Sequence, residues 1–563
     1  MGKLTVMDLF CGAGGFSEGF CQQGFDIVRG IDSWRPAIQT FNYNFDLDCK
    51  PQDVRIFGNS VEEIEKLPDT DVILGSPPCV SFSSSNKSGN ADKTSGINLI
   101  EIFFRIVAVK MHKKNSNLKA WFMENVENSA KYTKSYYTFS DLNLRTWAKS
   151  VGKKANDVAI NFKNNHLIVN SADYGVAQIR KRLFAGEIVS KSCLPQIFEI
   201  APKQPQKTLQ DIFKNFPSPL KSKRKIVDPN YEKLILSGSQ LTDYSYDAGV
   251  HEAIWRDSKY LKTNHPYMGR MSFPENWKKP SRTVTSTRIG NSRESLMYQD
   301  ELGRKGNGEF RTPTVREVAT IMSFPISYQF MGSESTKWRL IGNAVCPKLS
   351  AVIASEVLRR MGRRRRRQPL LMHDVNLKNI PNLNNPVQKT FFSPPERKEN
   401  ARFRRHPFKL GNMTVTLSNY NLENGIIDGM WYTTVTYGTG QNFKLQTIKP
   451  SKARQQKIID LAVESFNGNQ EFFDVVRNGF TEQIADGQTL QKLYEKNSSN
   501  RYLNPVNLIE EVARIICEHA GDDEIIMMSD KNKIFAYKDR VHKRQIYALY
   551  VLSHISMVAN GDK

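Results

Sequence analysis

Cys79 closes the segment Gly75-Ser76-Pro77-Pro78-Cys79, directly after the short apolar run Val72-Ile73-Leu74. A run of that length and character reads as a buried strand. Two prolines then freeze the backbone where the strand ends, each fixing its own φ. A thiol on so stiff a turn is placed for nucleophilic chemistry, which needs a positive environment to favour the thiolate. A cysteine can also be a small core residue, so the other reactive groups must decide. Ala120-Trp121-Phe122-Met123 reads as a second strand, delivering Glu124 to a sheet edge. A carboxyl buried there can keep its proton. Arg180 and Arg182 alternate in an extended segment and therefore share a face.

These groups need a frame. Leu4 to Phe10 is strand-like, runs into Cys11-Gly12-Ala13-Gly14-Gly15, and is followed by a helical stretch from Phe16 to Gln23. Strand, glycine turn and helix form the first unit of a doubly wound α/β sheet. Ile27 to Ile31 is a second strand ending in Asp32, whose carboxylate can accept hydrogen bonds from ribose hydroxyls. Trp34 can stack on adenine. The turn reads G-x-G-G without lysine, so neither the dinucleotide fingerprint nor the P-loop fits. A nucleoside without pyrophosphate fits better, and S-adenosyl-L-methionine is one.

At this point seven segments resemble the cytosine-5 DNA methyltransferase family, in family order from Asp8 to about Gly362. They are Asp8-Leu9-Phe10-Cys11-Gly12-Ala13-Gly14-Gly15-Phe16, Gly75 to Cys79, Glu124-Asn125-Val126 and Tyr174-Gly175-Val176-Ala177-Gln178-Ile179-Arg180-Lys181-Arg182. Arg282-Thr283-Val284-Thr285, Thr314-Val315-Arg316-Glu317-Val318-Ala319 and Ile341-Gly342-Asn343-Ala344-Val345 complete the set. Three positions depart from the family's usual residues: Val80, Ala177 and Cys346. None is a reacting group.

The resemblance implies methyl transfer from S-adenosyl-L-methionine to carbon 5 of cytosine in duplex DNA. It makes Cys79 the nucleophile and Glu124 the group at ring N3. Arg182 would hold Glu124 and the ring oxygen, Arg180 would contact phosphate, and Gln178 would order their loop. Cofactor contacts are expected from Phe10, Gly12, Ala13, Gly15, Asp32, Trp34, Asp53, Val54, Pro78, Leu99, Asn343, Ala344 and Val345. Leu99 precedes an expected helix, Ile100 to Val109. The last helix, Pro347 to Met361, is expected to fold back beside the first strand. The target base must leave the stack, at a cost of a few kcal/mol. The polar stretch Val80 to Gly96 reads as a loop that closes over the DNA.

Composition fits this reading. The 563 residues carry a net charge of +23 and are 39% apolar. A polyanionic partner is the simplest explanation. No run approaches the ~20 apolar residues of a membrane span, and the N-terminus lacks the regions of a signal peptide. Seven scattered cysteines without a CxxC pair point away from disulfides and zinc and towards a reducing cytosol. A cytosolic location is therefore expected, and the resemblance implies a bacterial cytoplasm or nucleoid, a monomer, and a cognate restriction endonuclease as partner.

The expected fold is an α/β methyltransferase (Rossmann-like) domain over 1–186, completed by 312–362. A target-recognition domain spans 187–311, a basic linker 363–405 and an accessory α+β domain 406–563. The recognition segment shows no long amphipathic helix, and Arg256, Lys259, Lys262, Asn264, Arg270 and Arg288 are candidate base readers. From Arg363 to Leu410 there are 13 Lys or Arg against 3 Asp or Glu, a tether composition able to bind phosphates. The accessory region reads either as a DNA- or partner-binding module or as a nuclease using Asp522, Asp523, Glu524, Lys531 and Lys533. An RNA cytosine methyltransferase and a noncatalytic cofactor-binding sensor are the rival readings of the whole.

Overall fold

The computed structural model describes residues 2–78, 93–189, 191–200, 203–214, 216, 225–238, 240–244, 248–250, 252–264, 270–287, 292–299, 309–371, 405–410, 413–419, 429–437, 444–448, 452–465, 470–496, 498–499, 501–519, 524–528, 534 and 540–561. The chain divides into two compact units. The first comprises residues 1–247, 275–288 and 313–387, and the second 248–274, 289–312 and 388–563. The segment 187–311 is thus shared between them.

A seven-stranded mixed sheet organises the first unit. Strands β1 (Thr5–Leu9), β2 (Asp26–Ile31), β3 (Val72–Gly75) and β4 (Ala120–Val126) are parallel, in the order β2-β1-β3-β4. Lys181–Ile188 then adds antiparallel to β4, and His166–Asn170 antiparallel to that strand. Helix α1 (Gly15–Gln22) follows β1, and helix α2 (Arg35–Phe45) follows β2. From β1 the chain goes to β2 on one side and returns to β3 on the other. The carboxyl ends of β1 and β3 therefore flank a topological switch point, where open α/β sheets bind ligands.

The central strands β1, β3 and β4 are buried on both faces, which is why they read as largely apolar runs. Met7, Leu9, Ile73, Trp121 and Met123 join one cluster with the helix Lys93–His112. On the other face Phe122 and Phe184 meet Phe20 and Phe16 of α1. Gly75 is required where that long helix crosses, because a Cβ there would lie 2.4 Å from the Phe103 ring.

Two expectations need correction. The helix Lys93–His112 already contains Leu99 and residues 93–96, so the polar stretch expected as loop to Gly96 is helical by Lys93. Residues 79–92, including Cys79, lie outside the described residues. The last helix, Pro347–Arg360, lies along α1 rather than beside β1. A Cβ on Gly19 would sit 2.4 Å from Pro347 O, and Ser350 Oγ donates to Phe16 O. The stretch Glu334–Arg360 contains an 18-residue window of mean hydropathy 1.3, and 72% of that window is buried in the protein. It is also broken between Asn343 and Pro347.

In the second unit, Val250, Trp255, Met297 and Phe310 form a small core with Phe273 against it. The helix Glu252–Thr263 is longer than the sequence pattern predicts. Among its described side chains the buried positions are Trp255, Ser258 and Lys262, which follow helical spacing but are mostly polar. The C-terminal part is an antiparallel four-stranded sheet, Arg405–Leu410, Met413–Ser418, Tyr432–Tyr437 and Lys444–Ile448, in sequential order. The helix Lys543–Asn560 is buried along most of its length in the same core.

Candidate active site

Four chain segments meet at the carboxyl edge of the first unit's sheet. The turn after β1 is the tightest. Phe10, Gly12 and Gly14 all have positive φ, at 56°, 53° and 82°, a backbone conformation that glycine adopts without steric cost. Gly15 cannot carry a side chain, since its Cβ would lie 2.1 Å from Val345 O. This contact brings Ala344 and Val345, both buried, to the first turn across more than three hundred residues. Asn343 ends the helix Glu334–Asn343 and is exposed.

Asp32 braces the turn. Its Oδ2 accepts from Gly12 N at 3.0 Å and its Oδ1 from Trp34 N at 2.8 Å. Burial raises its pKa, and the N–H donors of Trp34, Gly12 and Ser33 oppose the rise. Each carboxylate oxygen has a second lone pair, so capacity remains for further donors. Beneath lies Asp8, fully buried, accepting from Ser17 Oγ at 2.7 Å. Burial pushes Asp8 up to about 7.

Phe10, Val54 and Leu99 are buried in a common apolar cluster. Ala13 is buried beside them in sequence, and its carbonyl accepts from Tyr328 Oη at 2.5 Å. Asp53 is exposed and is taken up locally by Arg55, whose N and Nη1 both donate to it at 2.9 Å. The Arg55 backbone bond is the main cause of its lowered pKa.

The Pro77-Pro78 turn is tied at two points. Ser76 N donates to Leu9 O at 3.1 Å, and Asn125 Nδ2 donates to Pro77 O at 3.2 Å. Pro77 is buried and Pro78 exposed. Asn125, almost fully buried, links the turn carrying Cys79 to the strand end carrying Glu124. The sequence marks it only as the middle residue of a short motif.

Glu124 is 6% exposed, and its Oε1 lies 3.3 Å from Arg182 Nε. Val126 pairs with Arg182 across the strands, so Glu124 and Arg182 are diagonal neighbours. Burial raises the Glu124 pKa, while Arg182 and then Arg180 pull it down. The carboxyl is therefore easier to protonate than an ordinary glutamate.

Arg180 departs from expectation. It is 2% exposed, and its guanidinium donates to Val284 O at 3.2 Å, Gly342 O at 3.0 Å and Ala344 O at 3.2 Å. A group committed to three interior carbonyls does not face a phosphate. It instead fastens Arg282-Thr283-Val284-Thr285 and Gly342-Asn343-Ala344 to the sheet edge. Gln178 belongs to the same seam: Val284 N donates to its Oε1 at 3.2 Å. Arg180→Ala would strand three carbonyls, each costing about 1–3 kcal/mol. The expected result is a loss of about 3 kcal/mol or more in denaturant unfolding of the full chain. Arg180→Lys should recover only part, because an ammonium cannot reproduce the planar fork.

Among the base-reading candidates, Lys262 is also fully buried and donates to Ser295 O at 2.5 Å, so it is structural. Arg256 packs over its neighbour Trp255, 4.7 Å from the ring centroid. Lys259, Asn264 and Arg270 are exposed, and Arg288 lies outside the described residues. Of the nuclease residues only Glu524 is described, 3.8 Å from Lys543. No group of metal-ligating side chains occurs among the described residues.

Comparison with known proteins gives the family. The type II methyltransferase M.HgiDI of Herpetosiphon aurantiacus is 28% identical over 364 residues, covering 63% of this chain and 94% of that protein. The type II methyltransferase M1.HphI of Haemophilus parahaemolyticus is 28% identical over 371 residues, covering 63% of this chain and 87% of that one. Among solved structures, the S. pombe Dnmt2 methyltransferase matches 64% of the chain at 16% identity, with a TM-score of 0.41. The model for C-5 cytosine-specific DNA methylases matches residues 4–359. The chain therefore belongs to the C-5 cytosine-specific DNA methylase family and is a DNA (cytosine-5-)-methyltransferase.

Proposed function

We propose that this enzyme methylates carbon 5 of a cytosine flipped out of a specific duplex sequence, through a covalent Cys79 intermediate, using S-adenosyl-L-methionine. The observation that carries the reading is the Asn125–Pro77 hydrogen bond. It joins the turn that leads to the thiol to the strand end that holds Glu124 beside Arg182.

The residues after β1 and β2 suit this cofactor. The turn 10–15 holds no cation that a phosphate would need, Gly12 leaves room beside it, with only Phe10 O at 4.0 Å from an added Cβ, and Asp32 retains accepting capacity. Gly12, Ala13 and Gly15 would line the methionine end, with Phe10, Pro78, Leu99 and Asn343 to Val345 around it. Asp32 would take the ribose, and Trp34, Asp53 and Val54 the adenine. When bound, the cofactor supplies an electrophilic sulfonium methyl.

The chain's own work falls on the base. The Cys79 thiolate adds to carbon 6, turning the ring into an enamine whose carbon 5 is nucleophilic. Glu124, with its raised pKa, donates to N3 as negative charge develops there, and Arg182 holds that carboxyl. Once carbon 5 is methylated, loss of its proton to a base restores the ring double bond and expels the Cys79 thiolate. A restriction–modification role, with a cognate endonuclease in a bacterial cytoplasm, is the biological setting we infer from the type II relatives. The domain reading remains catalysis by 1–186 with 312–362, recognition by 187–311, a basic tether over 363–405 and a binding module over 406–563.

Labelled methyl transfer to duplex DNA, with bisulfite sequencing of DNA from a host expressing the chain, tests the reading. Methylated cytosines within one recurring sequence are expected. Transfer confined to transfer RNA, or unmodified DNA, would refute it.

A further inference from the structure

Arg339 projects from the exposed side of the helix Glu334–Asn343, and its guanidinium carbon lies 4.8 Å from the centroid of the Trp34 ring. No carboxylate pairs with it among the described residues. The helix that presents it is fixed on its other sides. Lys337 Nζ pairs with Asp243 Oδ1 at 2.6 Å, and Trp338 Nε1 donates to Thr285 O at 3.0 Å. Gly342 packs so closely that a Cβ would meet Thr285 O at 2.4 Å. Trp34 is held as well, by its N–H on Asp32 and by Ala37 N donating to its carbonyl at 2.9 Å. Two anchored elements therefore meet through one cation over one indole.

We propose that Arg339 is a positioning residue for the cofactor: it caps one face of the Trp34 indole so that the adenine of S-adenosyl-L-methionine stacks on the opposite face. This rests on the assignment of Trp34 to adenine under Proposed function. A cation over the ring is attracted by its quadrupole. It also restricts the indole before the ligand arrives, which lowers the ordering cost of binding. An exposed cation–π contact of this kind corresponds to about a two- to fivefold change in affinity.

The test is calorimetric titration of the full chain with S-adenosylhomocysteine, alongside steady-state methylation of duplex DNA. Arg339→Ala should weaken binding about two- to fivefold and raise the KM for S-adenosylmethionine by the same factor, with the loss in KM rather than kcat. Arg339→Lys, which keeps the cation, should restore most of the affinity. Trp34→Ala should weaken binding about tenfold through lost stacking, and Arg339→Ala should then add nothing further. Unchanged or tighter binding by Arg339→Ala, with Trp34→Ala still weakened, would overturn the role of Arg339 alone. Tighter binding would mean that the guanidinium occupies the face adenine needs. Equal losses from Arg339→Ala with and without Trp34 would also overturn it, since the arginine would then act elsewhere. Wild-type affinity in Trp34→Ala would overturn both assignments.

Discussion

Cys79→Ser should reduce methyl transfer by a factor of about 10⁴ or more while leaving duplex binding in place, equivalent to at least ~5.5 kcal/mol of barrier. The size follows from the nucleophile. A free thiol is a few per cent thiolate at neutral pH and is intrinsically very reactive, whereas a hydroxyl must be activated by a base. Nothing described near Pro77 supplies such a base to residue 79: Glu124 is engaged with Arg182, and Asn125 cannot take a proton. The turn itself should survive, because its anchors are the Ser76 and Pro77 backbone groups. Duplex carrying 5-fluorocytosine at the target provides the second measurement. The fluorine cannot leave as a proton does, so wild-type protein and DNA should stay joined after transfer, in a band stable to denaturing gel electrophoresis. Cys79→Ser should give no such band. Turnover by the serine variant within tenfold of wild type would refute covalent catalysis by this sulfur.

The sequence was most legible where one residue type has one physical use. Gly12 and Gly14 specify a turn at positive φ, and that turn is present with the expected strand before it and the expected helix after it. The apolar runs of β1, β3 and β4 identify strands buried on both faces. Less legible were residues whose surroundings come from distant chain. Arg180 and Arg182 look equivalent in an alternating pattern. The acceptors that distinguish them lie 104 to 164 residues away in the chain, and only folding brings those carbonyls to Arg180. Lys262 was misread for the same reason: its aliphatic stem and a carbonyl partner make a lysine interior, and the partner is Ser295. Arg339 carries no pattern at all, because its meaning is a ring more than three hundred residues away.

Glu124→Gln should lower kcat about 10²- to 10³-fold, the range in which removal of a positioned acid falls. Glutamine keeps the shape and can donate a hydrogen bond, but it cannot pass a proton to N3. The pH dependence separates this loss from simple damage. Burial raises the Glu124 pKa above the ordinary carboxylate value, so the folded state holds the proton more firmly than the unfolded chain. Ionising Glu124 therefore costs stability as pH rises from the ordinary glutamate range through the raised value. Glu124→Gln removes that cost, and at pH 8 the variant should unfold no earlier in denaturant than the wild type. Activity has the same sign: the protonated carboxyl is lost as pH rises through its folded pKa, so the wild-type rate carries a declining contribution there. That contribution should vanish from the kcat/KM profile of Glu124→Gln. A variant whose profile keeps the wild-type shape at a uniformly lower level would show that Glu124 orients the base without delivering a proton. A variant that unfolds markedly earlier at pH 8 would assign the carboxylate to the fold, as a partner that Arg182 needs.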